Sequence, residues 1–318
     1  MKKTVMLVFV LLSVLVFCAS CAGNEKLTVN VAALNGPTGM GMAYLTEQNE
    51  QKKTENDYNI IYEGAPDSVS GALISGALDM AAVPVNLAAG LYNKTQGNVL
   101  TIAVNTLGTL YIVDVSGTIA SAADLEGKTI AIAGKGSMPE YIMDFVLEQN
   151  GLMDKVNIEY LSEHAECVTK LASGDADCAL LPEPFVTTAL SKVEGARVAV
   201  DLTKEWETTS GKQLVMGVVV VRKLFAKEHP GLVRTFLKEY KTSVEYALND
   251  PKSASGLIEK YGILQSAAIA EKALPNCNIC YYDGDEMQDM VSEMLAVLYN
   301  ENPKLIGEVL PGEDMFFK

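Results

Sequence analysis

Histidine and tryptophan are nearly missing from this chain, with two of the first and one of the second in 318 residues. Positive charge is also short, 25 Lys and Arg against 40 Asp and Glu, for a formal net charge of −15. An acidic surface of that size argues against nucleic acid as a partner and against adhesion of the whole molecule to anionic lipid by charge. After the first 20 residues, no stretch is long and apolar enough to span a bilayer. Serine and cysteine nucleophile motifs are absent. Neither His164, by a helix start, nor His229, before Pro230, has a nucleophile or clustered metal ligands near it in sequence, so both read as structural. Internal repeats and low-complexity segments are absent too.

Cysteine is sparse and unevenly placed. Cys277-Asn278-Ile279-Cys280 is a lone CxxC with no second pair and no nearby histidine, which is weak evidence for zinc or redox chemistry. Cys167 and Cys178 read as buried thiols or, in an exported protein, as a disulfide whose connectivity the sequence leaves open. No metal or cofactor is expected.

What is present begins with a leader. Lys2 and Lys3 precede an apolar run from Thr4 to Phe17, and small residues then lead to Cys21. This order is an export signal. The cleavage region resembles a bacterial lipobox, although Cys18 stands where that pattern prefers leucine. The reading is a signal peptide over 1–20, lipidation at Cys21 and a tether over 21–26. Roughly 295 residues then remain, comfortable for two domains.

Along that remainder, short apolar strands alternate with helices, which implies parallel sheets covered by helices. A first α/β run, with one helix read over Thr38 to Glu50, reaches the β-rich stretch Leu100 to Val115, broken at Gly108. A second, with strands read over Thr129 to Ala133 and Arg197 to Asp201 among others, runs from Asp124 to Asp201. A polar stretch, Thr203 to Lys212, leads to an apolar strand, Leu214 to Val221, and everything after Arg222 reads as helical. The expected architecture is α/β with two lobes: residues 27–110, then 111–213, then a return to the first lobe over 214–318. Crossings near 106–110 and 212–217 would form a two-stranded hinge.

In open α/β sheets, ligands sit beyond the carboxyl ends of the strands, where helix N-termini present free amides. The strand-to-helix turns are therefore the candidate site. Asn35, Gly36, Pro37, Thr38 and Gly39 form a glycine-rich turn that is neither a Walker A loop nor GxGxxG, with Thr38 as a candidate cap. Ser68 and Asn86 lie in the next two turns. In the second run, Gly136 and Ser137 precede a helix, and Ser137 with Glu140 has capping-box spacing. Glu183, between two prolines, either caps a helix or faces the cleft, where it would pair with an amine-bearing ring. Tyr111 and Trp206 are candidate flat walls for a ring.

The turn 35–39, the stretch Asp79 to Asn86, the segment Asp124 to Tyr141 and the Leu181-Pro182-Glu183-Pro184-Phe185 turn together resemble those of ABC-transporter solute-binding lipoproteins. The branch is the one grouped with thiamine-precursor, taurine, alkanesulfonate and nitrate binders. The resemblance implies a type II periplasmic-binding-protein fold and a small-molecule ligand held between the lobes of a monomer at the outer face of the membrane. It also implies an ABC permease and its ATPase as partners. A heteroaromatic vitamin precursor or a small organic anion is the expected ligand. The rival readings are an enzyme on the same fold, similar to pyrimidine-precursor synthases, and a lipoprotein sensor or adhesin. The synthases need a reactive histidine and a cysteine-rich motif, which this chain lacks.

Overall fold

The computed structural model describes residues 27–318; the leader, Cys21 and the tether lie outside them. The elements in chain order are β1 (Thr28–Leu34), α1 (Pro37–Met40), α2 (Ala43–Glu50), β2 (Asp57–Glu63), α3 (Pro66–Ser75), β3 (Met80–Pro84), α4 (Val85–Lys94), β4 (Val99–Leu107) and β5 (Leu110–Asp114). There follow β6 (Thr129–Ala133), α5 (Met138–Gln149), β7 (Asn157–Leu161), α6 (His164–Ser173), β8 (Cys178–Pro182), α7 (Phe185–Lys192), β9 (Arg197–Asp201), α8 (Leu202–Ser210) and β10 (Val215–Arg222). The last are α9 (Lys223–Glu228), α10 (Pro230–Asn249), α11 (Pro251–Lys260), α12 (Ala267–Ala273), β11 (Ile279–Tyr282) and α13 (Gly284–Glu301).

The strands form two sheets. The first has the order β11-β4-β10-β3-β1-β2 and the second β7-β6-β8-β5-β9. Within the first, β1 runs parallel to β2 and β3, whereas β10 is antiparallel to both its neighbours. Within the second, β6 runs parallel to β7 and β8, whereas β5 is antiparallel to β8 and β9. Each sheet thus receives one antiparallel strand that has just arrived from the other: β5 from the first, β10 from the second.

Strand alternation builds the layers. In β1, Val29, Val31 and Ala33 pack with α2, α10 and α11, while Ala32 and Leu34 face the side of α3, α4 and α13. In the second sheet, Tyr111, Val113, Ala131 and Leu181 pack with α6 and α7, and Ile112, Ile130, Ile132 and Leu180 pack with α5 and α8. The core on the α4, α13, α5 and α8 side is continuous across both sheets.

Three expectations fail here. Residues 203–212 are not an open polar connection, because α8 occupies most of them with Leu202, Thr203 and Trp206 turned inward. The C-terminal third is not wholly helical, because β11 pairs with β4 at the sheet edge. The helix expected over 38–50 is two helices, α1 and α2, separated at Gly41 and Met42. In addition, Leu110, placed on the first-lobe side of the boundary by the sequence, is the first residue of β5 and pairs with Pro182 in the second sheet.

Candidate functional site

The register of the two sheets determines which ends meet. Leu107 at the end of β4 pairs with Val215, and Gly217 pairs with Pro84, so β4 leaves its sheet on the side where β3 ends. Leu110 pairs with Pro182, so β5 enters the second sheet where β8 ends. Only Gly108 and Thr109 lie between the two strands. The crossing therefore joins the carboxyl ends of the parallel strands of both sheets, and the strand-to-helix turns of both lobes gather around it.

Gly108 fits the crossing because it has no side chain. A Cβ there would lie 2.1 Å from Thr203 Oγ1 and 2.9 Å from Leu214 Cδ2. The Asn278 side-chain amide donates to the Gly108 carbonyl, and the Glu183 amide donates to the Thr109 carbonyl at 3.0 Å. The crossing is thus held by groups from both lobes.

In the first lobe, Gly36 precedes α1 at φ 93° and ψ −156°, a region that side chains rarely adopt. This conformation, rather than a Thr38 cap, starts the helix. Thr38 lies inside α1, and its carbonyl accepts from Asn105 Nδ2 at 3.1 Å. Asn35 is exposed, Pro37 and Thr38 are half-buried, and Gly36 and Gly39 are buried. Ser68 is exposed in the first turn of α3. Asn86 is half-buried in the first turn of α4, and its buried Oδ1 has no hydrogen-bond partner among the described residues. No side chain caps α3 or α4.

In the second lobe, the capping box expected of Ser137 and Glu140 does not form. Ser137 Oγ donates to the Gly134 carbonyl, and the Glu140 carboxylate instead accepts from the amide of Gly136. Gly136 and Lys135 are exposed, Ser137 is half-buried, and α5 starts without a side-chain cap. Among the described residues, Lys135 is the one lysine or arginine lying between a strand and the helix that follows it at the crossing end. Its ammonium sits 4.9 Å from the centre of the Tyr160 ring.

Trp206 sits away from the cleft, Tyr111 is held by a protein partner, and Glu183 takes the helix-start role that is one of its two readings. Trp206 is 1% exposed, and its ring centre lies 4.4 Å from that of Phe145. It packs α8 against α5 rather than walling the cleft. Tyr111 is buried, and its hydroxyl donates to the Asn276 carbonyl at 3.1 Å. Glu183 is 2% exposed. Its carboxylate accepts from the amide and the hydroxyl of Thr187, both at 3.1 Å, and from the Asn276 side chain. Burial pushes its pKa up while those hydrogen bonds oppose the rise. Both Tyr111 and Glu183 therefore join the second sheet to the turn ahead of β11.

His164 reads from the sequence as structural. It opens α6 at the end of β7, half-buried, with its ring centre 5.1 Å from that of Phe185 at the start of α7. Its Nδ1 is buried without a partner among the described residues, and burial lowers its pKa. A histidine following a strand was the available signal. The four described thiols are unpaired. Burial pushes Cys167 up to about 11 and Cys178 and Cys280 up to about 12, which keeps them protonated at neutral pH.

Residues 57–254 match the family model described as NMT1/THI5 like. The chain belongs to the NMT1/THI5-like family. No curated protein matches it by sequence. An ABC transporter protein from Parabacteroides distasonis is similar in structure, with a TM-score of 0.78 at 24% identity over 92% of this chain and 99% of that one. The periplasmic aliphatic sulphonate binding protein SsuA from Escherichia coli superposes with a TM-score of 0.73 at 18% identity, covering 92% of each chain. The alkanesulfonate-binding protein SsuA from Xanthomonas axonopodis pv. citri, bound to MOPS, gives 0.64 at 17% over 90% of this chain and 94% of that one. At these identities the likeness is one of fold, and this family member has the periplasmic-binding-protein fold.

Proposed function

We propose that the chain is the extracytoplasmic solute-binding component of an ABC-type importer. It captures a small organic anion between residues 27–110 with 214–318 on one side and 111–213 on the other, and hands it to a membrane permease. The carrying observation is the convergence of uncapped helix starts, those of α3, α4 and α5, on a crossing only two residues long between β4 and β5. Free amides and the helix dipole favour negative or acceptor atoms, and Lys135 adds a positive charge on that side. Two of the structurally similar proteins are sulfonate binders by name, which supports the anion. Because Glu183 is engaged by Thr187 and Asn276, the carboxylate that an amine-bearing ring would have used is occupied. A flat heteroaromatic ligand remains the second reading, favoured by the half-buried His164–Phe185 pair.

Ligand touching both lobes stabilises the closed form, so binding shifts the population toward closure. The crossings at 108–109 and 211–214 are the hinge. Binding without chemistry is the reading that the absence of a nucleophile motif supports, and export with acylation at Cys21 is the reading of the leader. Native mass spectrometry of freshly purified protein identifies the carried-over ligand. That ligand is expected to compact the protein in solution scattering and raise its melting temperature. A verified tight ligand that leaves the scattering profile unchanged overturns the hinge mechanism. Preference for aminopyrimidines over alkanesulfonates in calorimetry overturns the anion. An unacylated Cys21 peptide overturns the anchor.

A further inference from the structure

The end of the first lobe opposite the crossings has properties that ligand capture does not use. Pairing of Val99 with Arg222, Val221 with Met80 and Thr28 with Asp57 gathers the starts of β1 to β4 and the end of β10 there. This base carries a depression of about 460 Å³. Leu73, Ile74, Val99 and Leu224 give it apolar walls, Lys94 and Arg222 give it positive charge, and no carboxylate lines it. Asp79 is held by Arg222 Nη2 at 2.7 Å and by the Asn30 amide at 2.9 Å. The rim is unusually bare of cover: Ile74 is 47% and Leu224 57% exposed. Leu27, which leads into β1 at the same end, is 48% exposed.

We infer that this base is a membrane-contacting face that takes a phospholipid surface bearing anionic headgroups. The inference rests on the reading of Cys21 as the lipid anchor. Three observations select that occupant. First, the described chain starts at this end, and the six residues from Cys21 to Leu27 reach at most about 20 Å. An acyl group on Cys21 would keep the base within about one tether length of the bilayer. Second, no carboxylate lines the depression; Arg222 is paired with Asp79 behind it, and Lys94, which makes no ion pair among the described residues, supplies the uncompensated positive charge in a chain of net charge −15. Third, exposed aliphatic side chains beside cations are what an interfacial contact uses, apolar groups entering the headgroup boundary while cations meet the phosphates. The contact is weak alone. The tether raises its effective concentration to roughly the millimolar range, where weak contacts are occupied.

The test uses the full chain, processed in a bacterial host and reconstituted on phosphatidylcholine vesicles with or without phosphatidylglycerol. The probe is amide hydrogen exchange. Peptides covering 73–76, 94–99 and 222–228 are expected to exchange more slowly when phosphatidylglycerol is present, with the second sheet unchanged. Lys94→Gln is expected to weaken that protection about fivefold, the contribution of one cation near an anionic surface. Ile74→Asp with Leu224→Asp is expected to abolish it while lowering the melting temperature by no more than a few degrees, because both side chains are about half exposed. Equal exchange on the two vesicle types overturns the inference. So does protection on the second lobe, or protection that grows with protein concentration in the absence of vesicles, which would mark a second copy as the occupant. An unmodified Cys21 peptide overturns the anchor and this inference with it; an acylated one with an unprotected base overturns this inference alone. Ligand-induced compaction reads the transport function independently of both.

Discussion

The Tyr111 hydroxyl donates to the carbonyl of Asn276 at 3.1 Å, tying the second sheet to the turn that leads into β11 of the first. Glu183 reaches the side chain of the same residue. Asn276 is thus a shared partner of Tyr111, a candidate ring wall in the sequence, and of Glu183, which the sequence leaves between a helix cap and the cleft. Tyr111→Phe removes one hydrogen bond of about 1 kcal/mol. It is expected to lower the melting temperature by about 2–4 °C while leaving the intrinsic contacts of bound ligand intact. Thermal denaturation with and without the carried-over ligand checks this. A loss of affinity with no loss of stability would return Tyr111 to the ligand site.

Asn86 is expected to behave in the opposite way. Its Oδ1 is buried at the start of α4 without a partner, so Asn86→Ala removes no hydrogen bond from the ligand-free protein. Affinity is expected to fall about fivefold to tenfold, the equivalent of one hydrogen bond, with the melting temperature of the free protein unchanged or slightly raised. Calorimetric titration beside a melting curve separates the two effects. Unchanged affinity would remove Asn86 from the site.

The sole tryptophan reports on the α5–α8 contact rather than on the cleft. With Trp206 buried against Phe145, its emission is expected to be blue-shifted, resistant to acrylamide quenching and nearly indifferent to ligand. A ligand-dependent shift in the emission maximum would place the ring at the cleft after all. The sequence misplaced Trp206 for a local reason. Leu202 to Ser210 is mostly polar, and only Leu202, Thr203 and Trp206 turn inward, too few to mark a helical stripe. The four-residue strand β11 escaped for a related reason, since its length and its position behind a cysteine-containing turn leave little periodicity to read.

Elsewhere the sequence was informative because the physics is local. Thr129–Ala133 and Arg197–Asp201 have the bounds that their short apolar runs suggested. The turns at 35–39, 64–68, 84–86 and 134–137 sit at strand ends, because glycine and proline punctuate them. What remained hidden is nonlocal. Whether Glu183 faces a ligand depends on Asn276, far along the chain, and no spacing around residue 183 encodes that partner.

Acidic pH is expected to tighten the seam between α5 and α13. Burial pushes Asp144 from 3.8 up to about 6, and the charges of Glu140 and Glu301 push it the same way. Glu301 is raised by burial and by Glu148. Beside them, Tyr141 Oη accepts from Asn302 Nδ2 at 2.9 Å across the seam. A carboxyl whose pKa is higher folded than unfolded binds its proton more tightly when folded. Its contribution to stability is therefore full below about 4 and is lost as pH rises through about 6. Asp144→Asn is expected to raise the melting temperature near pH 7 and to flatten its dependence between about pH 4 and pH 6. A variant that is less stable near pH 7 than the parent would show that Asp144 is held by a favourable partner instead.

The crossing itself offers the sharpest structural test. A methyl on residue 108 would collide with Thr203 Oγ1 at 2.1 Å and Cγ2 at 2.8 Å, and with Leu214 Cδ2 at 2.9 Å. Gly108→Ala is expected to destabilise by about 1–3 kcal/mol, the usual cost of forcing an extra methyl into a filled space. Thr203→Ala removes two of the three colliding atoms, and with them a buried hydroxyl that has no hydrogen-bond partner among the described residues. The double variant is therefore expected to recover much of the loss, leaving the Leu214 contact as the residue of the penalty. Denaturant melts of the four proteins in the cycle yield the coupling energy. Additive losses, with no recovery in the double variant, would mean that the crossing relaxes away from Thr203 and that Gly108 is required for its backbone rather than for its missing side chain.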